Sequence, residues 1–219
     1  QSVVLLKNEN QLLPLSKEVK RVAVIGPNAD NVYNQLGDYT APQAPGSVIT
    51  VLEGIRQKLP GAEVRYVKGC AVRDTLDTSI GEACETAKNS DVVVVVLGGS
   101  SARDFETDFL ETGAAVAKER KVSDMESGEG FDRIGLSLMG KQVELLKALY
   151  ATGRPVVLVM VQGRPLELNW AAEHIPAILT TWYPGGEGGR AIADVLFGDY
   201  NPAGRLPLSY PRHVGQLPV

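Results

Sequence analysis

The stretch that decides the fold is Asp91–Leu97, DVVVVVL, which is followed directly by Gly98-Gly99. Five consecutive valines leave no alternation between apolar and polar positions, which is typical of a strand buried on both faces. Such strands occur in parallel sheets that helices cover on each side. The sequence therefore predicts an α/β protein built around this segment.

Similar apolar runs recur on both sides of this strand. The other predicted strands are 21–25, 64–67, 155–161, 177–182 and, as a last edge strand, 206–210. The predicted helices, which lie between the strands, are 48–59, 79–87, 140–151, 166–172 and 188–197. Because strand and helix alternate, we predict a mostly parallel sheet with helices on both faces, a flavodoxin-like α/β sandwich in a single domain over residues 1–219.

Length and composition exclude several classes of protein. A chain of 219 residues can bury a sizeable core without disulfide or metal support. The net charge is -4 and no basic stripe is present, which disfavours a nucleic-acid partner. No apolar run reaches the ~18 residues that a membrane span needs. Two cysteines and two histidines are too few for the common zinc sites, so we predict no metal and no cofactor.

One region departs from the alternation of strands and helices. Residues 98–136 form a long, polar insertion after the most apolar strand. Loops of this length in compact domains are usually functional or disordered. The insertion also begins at the carboxyl end of a parallel strand, where open α/β sheets bind their ligands. We therefore expect the functional chemistry here.

The insertion concentrates charged residues near its end. Glu126, Glu129, Asp132 and Arg133 follow one another closely, and glycines flank Glu129 on both sides. A carboxylic acid on a loop whose backbone a ligand can approach suits general acid/base catalysis. Arg133 is placed to pair with Asp132 and brace the loop. A solvated acidic turn is the other interpretation of the same residues.

The motifs for nucleotide binding and for serine hydrolase chemistry are weaker. Glycine-rich turns follow strands at 26–30 and 185–189, but neither has the GxGxxG spacing or a Walker-type lysine, and Glu187 would repel a phosphate. Tight turn geometry is the simpler interpretation of both. Ser100-Ser101 follows a strand without the GxSxG elbow of serine hydrolases.

A series of short motifs in a fixed order carries a resemblance to a known family. The motifs are SVVLLKN at 2–8, VIGP at 24–27, GDY at 37–39, EGFDR at 129–133, GRPVV at 153–157, GRP at 163–165, WYPGGEGG at 182–189, AIADVLFG at 191–198 and NPAGRLP at 201–207. Together they cover nearly the whole chain. The chain resembles the second, α/β-sandwich domain of glycoside hydrolase family 3.

The resemblance implies a retaining, exo-acting β-glucosidase or β-xylosidase, whose nucleophile lies in a separate (β/α)8 barrel. In such enzymes the second domain lends the acid/base glutamate on a loop that reaches over the barrel. By motif, that glutamate is Glu129, with Glu126 as second choice. Asp132 and Arg133 then brace the loop.

The same resemblance extends to the substrate and the partner. Tyr39 matches the position of an aromatic residue that stacks on a sugar, and Asp38 precedes it. The implied substrates are β-linked, gluco- or xylo-configured oligosaccharides or glycosides, and the implied partner is the barrel of the same enzyme. We expect this chain alone to be inactive, and a periplasmic or secreted location is plausible for the family.

Two alternatives from other functional classes remain at this point. One is a flavodoxin-like module that binds a small ligand without catalysis, and it rests on fold analogy and the glycines at strand ends. The other is an interaction domain whose long loop closes an interface with a partner.

Overall fold

A computed structural model describes residues 2–102, 111–112, 123–128 and 133–218. The strands within these ranges are β1 (Val4–Asn8), β2 (Arg21–Ile25), β3 (Glu63–Val67), β4 (Val92–Gly98), β5 (Val156–Val161) and β6 (Ala177–Trp182). The helices are α1 (Val32–Leu36), α2 (Val51–Lys58), α3 (Ile80–Lys88), α4 (Gln142–Tyr150), α5 (Asn169–His174) and α6 (Gly188–Leu196). Short 3-10 turns occur at Glu9–Gln11 and Val214–Gln216.

The strands form a single sheet in the order β1-β6-β5-β4-β2-β3. All neighbouring strands are parallel except β1, which pairs with β6 in the antiparallel direction. All seven residues of β4 are buried. The predicted fold class, a mostly parallel sheet centred on the valine run, is confirmed.

Helices cover both faces of the sheet, and each face has its own apolar core. On one face α2 and α6 pack against the strands, with Leu52, Ile55 and Ile192 among the buried residues. On the other face α3, α4 and α5 contribute residues such as Leu145 and Leu149. No helix in the described part of the chain is long and apolar enough to cross a membrane.

The loop that precedes α2 ends at a well-defined cap. The Thr50 hydroxyl accepts from the Glu53 N–H at 3.3 Å, and the Glu53 carboxylate accepts from the Thr50 N–H at 3.0 Å. This reciprocal capping box satisfies two amides that a helix start leaves without partners. Because the loop between α1 and α2 carries Asp38 and Tyr39, the cap fixes where that loop ends.

The predicted edge strand over 206–210 is wrong. This segment has no strand pairing, and the sheet edge beside β6 is formed by β1 instead. The returning chain makes one backbone hydrogen bond to that region, from the Gly204 N–H to the Val3 carbonyl at 3.0 Å. Pro207 has no N–H with which to extend the pairing.

Two other boundaries differ from the sequence predictions. The fourth predicted helix, 166–172, is α5 at Asn169–His174, because Leu166 is fully buried in the loop that leads to it. The sequence patterns also did not reveal α1, which is only five residues long and is capped by Asn31, whose side chain accepts from the Asn34 N–H.

We predict that α2 and α6 tolerate no added methyl group where they cross. A Cβ on Gly54 would lie 2.1 Å from the Gly189 carbonyl oxygen, so Gly54→Ala should lower the free energy of unfolding by about 1–3 kcal/mol or more. Gly81→Ala in α3 is the matched control, because no atom lies within 4 Å of its Cβ position. Urea denaturation checks both variants, and equal stabilities would contradict the packing described.

Candidate functional site

The candidate site lies where the parallel strands end. β3 lies on one side of β2, whereas β4, β5 and β6 follow one another on the other side. The order in which strands are added to the sheet therefore reverses beside β2. In open α/β sheets, ligands bind outside the carboxyl ends of the strands at such a switch point. We call the loops at this end of the sheet the carboxyl edge.

Two glycines allow the strand ends to pack backbone against backbone. Gly26 and Gly98 have φ values of 125° and 141°, which side-chain-bearing residues rarely adopt. A Cβ on Gly26 would lie 2.1 Å from the Val96 carbonyl oxygen, and one on Gly98 would lie 1.8 Å from the Val161 carbonyl oxygen. The loops after β2 and β4 therefore begin at closely fixed positions.

A buried network of three side chains joins these loops. The Asn28 amide donates to the carbonyls of Gly99 and Val161 at 3.1 and 3.3 Å. The Asn34 amide donates to Asn28 Oδ1 at 2.8 Å, and Ser100 Oγ donates to Asn34 Oδ1 at 2.6 Å. Because buried polar groups hold their geometry through such bonds, the network links α1 to the ends of β4 and β5.

The turn that follows α1 carries two of the predicted binding residues. The Asp38 N–H donates to Ser101 Oγ at 3.1 Å, and Asp38 Oδ1 accepts from the Tyr39 N–H at 2.7 Å. Tyr39 has a φ of 57°, which is rare for a bulky residue, and it is 76% exposed. Its ring is accessible to a ligand, and the sugar-stacking role stays a prediction.

Residues 123–128, near the end of the long insertion, pack against the same edge. The Glu126 N–H donates to the Ser100 carbonyl at 2.9 Å. The Arg73 guanidinium donates to the Met125 carbonyl at 2.8 Å, and the Met125 side chain is buried. This part of the insertion is therefore tied both to the end of β4 and to the loop after β3.

Glu126 and Arg133 form a buried ion pair between Oε2 and Nη1, with side chains only 1% and 5% exposed. Glu126 Oε1 also accepts from Ser127 Oγ at 3.2 Å. Arg133 donates from Nε to the Gly135 carbonyl at 2.7 Å and from Nη2 to the Ser137 carbonyl. Both charges are thus paired and hydrogen-bonded, which is the condition for burying them.

Two predicted site residues, Glu129 and Asp132, lie outside the residues that the structure describes. They belong to the four residues between Gly128 and Arg133. Gly128 itself lies beside the Asp38 turn, because a Cβ there would be 3.3 Å from Asp38 Oδ2. Gly128 and Arg133, the described residues that flank these four, therefore both lie at the carboxyl edge.

Tyr183 follows β6 and completes this edge. Its ring lies between two glycines, since a Cβ on Gly37 or Gly163 would approach ring atoms to 2.9 and 2.7 Å. Burial raises the pKa of the Tyr183 hydroxyl, although the hydroxyls of Ser101 and Ser127 lie close enough to oppose the shift. Among the described residues the hydroxyl makes no hydrogen bond of regular geometry. The Tyr183 ring thus packs closely against the glycines at this edge.

Other features of the described residues bear on metal, thiol and phosphate chemistry. Within them, no group of three or more His, Cys, Asp or Glu side chains is arranged to hold a metal ion. Burial raises the pKa of the Cys70 thiol to about 12, which makes it unreactive at neutral pH. In the glycine-rich turn before α6, the Ile49 N–H donates to the Gly186 carbonyl at 2.8 Å, and the Gly189 N–H donates to the Ile49 carbonyl at 3.0 Å. That turn is filled by the protein itself.

Comparison with known proteins identifies the family of the chain. The sequence profile of the glycosyl hydrolase family 3 C-terminal domain matches residues 3–219. The chain belongs to glycosyl hydrolase family 3. Over its full length it is 41% identical to a beta-xylosidase from Formosa agariphila and 38% identical to a periplasmic beta-glucosidase from Salmonella typhimurium. It spans 28% of the length of each of these relatives.

Solved structures of this family have the same fold. A beta-glucosidase of intestinal bacteria involved in saponin metabolism superposes with a TM-score of 0.80 at 30% identity, covering 99% of this chain and 32% of that one. A beta-glucosidase from Erythrobacter marinus gives a TM-score of 0.78 at 37% identity, covering 99% and 29%. A beta-glucosidase from Listeria innocua in complex with isofagomine gives 0.76 at 33% identity, covering 99% and 26%.

Sequence reasoning identified some of the residues at this edge and missed others. It singled out Asp38, Tyr39, Glu126 and Arg133, and the structure brings the loops that carry them to one edge. It did not find the buried Asn28 network, because nothing local marks an asparagine that bonds to residues far along the chain. The one available signal was the pair of serines after the glycines that end β4.

The buried network should behave as one unit. Asn34→Ala and Ser100→Ala should each lower the free energy of unfolding by about 1–3 kcal/mol, because each leaves a buried polar group without its partner. The double variant should cost at least ~0.5 kcal/mol less than the sum, since the first change already breaks the shared bond. Urea denaturation measures the free energies of the cycle. Asn89→Ala is the control, because it removes an exposed hydrogen bond to the Glu85 carbonyl instead of a buried one. Strict additivity would show that Asn34 and Ser100 act independently.

Proposed function

We propose that this chain supplies the general acid/base residue of a retaining β-glycosidase, and that this residue is Glu129. The reaction is hydrolysis of β-O-glycosidic bonds in gluco- or xylo-configured substrates, and the nucleophile belongs to a (β/α)8 barrel of the same enzyme. Family membership across residues 3–219 and the 28% coverage of longer relatives support a role within a larger enzyme. The observation that carries the assignment is that Gly128 and Arg133, which flank the Glu129 segment, both lie at the carboxyl edge.

The chemistry requires two carboxyl groups with different roles. In the first step the nucleophile attacks the anomeric carbon while the acid protonates the leaving oxygen. In the second step the same residue, now a carboxylate, takes a proton from the water that releases the sugar. The two groups stand about 5–5.5 Å apart in retaining enzymes. A loop held at one edge of this domain can present its carboxyl group to a nucleophile on a neighbouring domain.

The environment of Glu126 favours Glu129 as the acid/base. The Glu126 side chain is 1% exposed, and its two oxygens are bonded to Arg133 and Ser127. A residue that transfers protons must reach the glycosidic oxygen directly or through one water. Glu126 faces the inside of the domain, so we assign it a structural role.

The turn after α1 provides the sugar contacts in this proposal. The exposed ring of Tyr39 stacks on the apolar face of a sugar, and the Asp38 carboxylate accepts a hydrogen bond from a sugar hydroxyl. The choice between glucose and xylose depends mostly on the barrel. Because the nucleophile is contributed from outside this chain, the chain alone has no glycosidase activity.

The full-length enzyme with Glu129→Gln tests the assignment. Hydrolysis of an unactivated disaccharide should fall by about 10²–10⁴ in kcat/KM, whereas a 2,4-dinitrophenyl glycoside, whose leaving group needs no proton, should lose much less. Added azide should accelerate turnover of the activated substrate and yield a β-glycosyl azide, because the neutral amide no longer repels an anion and azide attacks the glycosyl-enzyme without a general base.

Glu126→Gln is the matched comparison, since it makes the same chemical change three positions away. We expect no glycosyl azide from that variant. Equal losses on both substrates with Glu129→Gln, or azide rescue of Glu126→Gln alone, would refute the assignment of Glu129.

A further inference from the structure

We propose that the buried ion pair between Glu126 and Arg133 is a clamp that positions Glu129 for catalysis. The inference rests on the proposed function of Glu129 and adds two positioning residues to it. The clamp joins the residue three positions before Glu129 to the residue four positions after it. It therefore closes the base of the segment that carries the acid/base residue.

The first arm of the clamp is fixed to the end of β4. The Glu126 N–H donates to the Ser100 carbonyl, and Ser100 belongs to the buried network with Asn34. The carboxylate lies directly over Gly99, where a Cβ would come within 2.1 Å of Glu126 Oε1. The position of this carboxylate is thus set by the backbone of the strand end.

The second arm is fixed to the chain beyond the insertion. Arg133 donates to the carbonyls of Gly135 and Ser137, so its guanidinium holds the turn that follows it. Ser137 Oγ donates to Glu167 Oε2 at 2.8 Å, and the Glu167 N–H donates to the Leu136 carbonyl at 2.8 Å. This arm is therefore anchored on the loop between β5 and α5.

Stability alone is a weak reason for burying this pair, because apolar side chains of similar volume often pack as well as a buried ion pair. What the pair adds is a fixed geometry of the two chain segments that it joins. A planar guanidinium bonded at once to a carboxylate and two carbonyls accepts only a narrow range of loop geometries. A displacement of ~1 Å at a catalytic group can cost about 10²-fold in rate, so a fixed loop base has a clear catalytic use.

Two variants of the full-length enzyme test the clamp by different routes. Arg133→Lys keeps the charge but removes the fork that holds three acceptors at once. Gly99→Ala leaves both charged residues in place and pushes on the Glu126 carboxylate. Arg21→Met is the matched control, because it removes a half-exposed ion pair with Asp91 at the opposite end of the strands.

The readout is the ratio of kcat/KM for the dinitrophenyl glycoside to that for the disaccharide. Both clamp variants should raise this ratio by about 10-fold or more through loss on the disaccharide, because a misplaced acid matters only when the leaving group needs a proton. Neither should form glycosyl azide, since the Glu129 carboxylate is still present. The control should leave the ratio unchanged.

The ratio does not depend on how much of each variant is folded, because both substrates meet the same active molecules. An unchanged ratio in both clamp variants overturns the clamp, whether the two activities are retained or fall in proportion. If Glu129→Gln itself shows no dependence on the leaving group, the proposed function fails first. A leaving-group effect in Glu129→Gln without one in the clamp variants overturns only the clamp.

Discussion

The contact of backbone with backbone at the carboxyl ends of β2, β4 and β5 is the constraint on which the rest of the site depends. No side chain fits between Gly26 and Val96 or between Gly98 and Val161. The loops that leave these strands therefore start at positions that the sheet dictates. The hydrogen bonds of the Asn28 network then connect these strand ends to α1 on one side and to the start of the insertion on the other.

The domain divides its physical tasks between its centre and this edge. Apolar strands and helices on two faces supply the burial that stabilises the fold. The carboxyl edge instead holds features that cost free energy, including a buried ion pair and left-handed backbone at Tyr39 and Trp182. Such costs are tolerated when the surrounding structure over-determines the geometry, and they cluster where binding and catalysis need fixed groups.

The sequence predicted the centre of the fold well because burial on both faces leaves a local signature. Residues 92–96 are all valine, and no surface strand would carry such a run. β1 left no comparable signature, since its burial is uneven along its five residues. The wrong strand at 206–210 shows the complementary limit, because a short, partly apolar segment does not reveal whether a sheet edge offers it a partner.

The candidate site was likewise predictable only where the sequence carries a local signal. Motif order and the carboxyl-edge rule were sufficient to select Asp38, Tyr39 and the end of the insertion. One partner of Arg133 was beyond local reasoning, because the described ion pair joins it to Glu126, seven positions away. The predicted pairing with Asp132 lies outside the described residues and stays a prediction. The burial of Glu126 depends on tertiary packing, so only coordinates reveal it.

The most direct test of the central claim is a structure of the full-length enzyme trapped as its covalent glycosyl-enzyme intermediate. The trapped sugar identifies the nucleophile without prior assignment. We predict that the Glu129 carboxyl group lies about 5–5.5 Å from that nucleophile, with Glu126 still paired to Arg133. A different carboxyl group at that distance, with Glu129 directed away from the sugar, would contradict it.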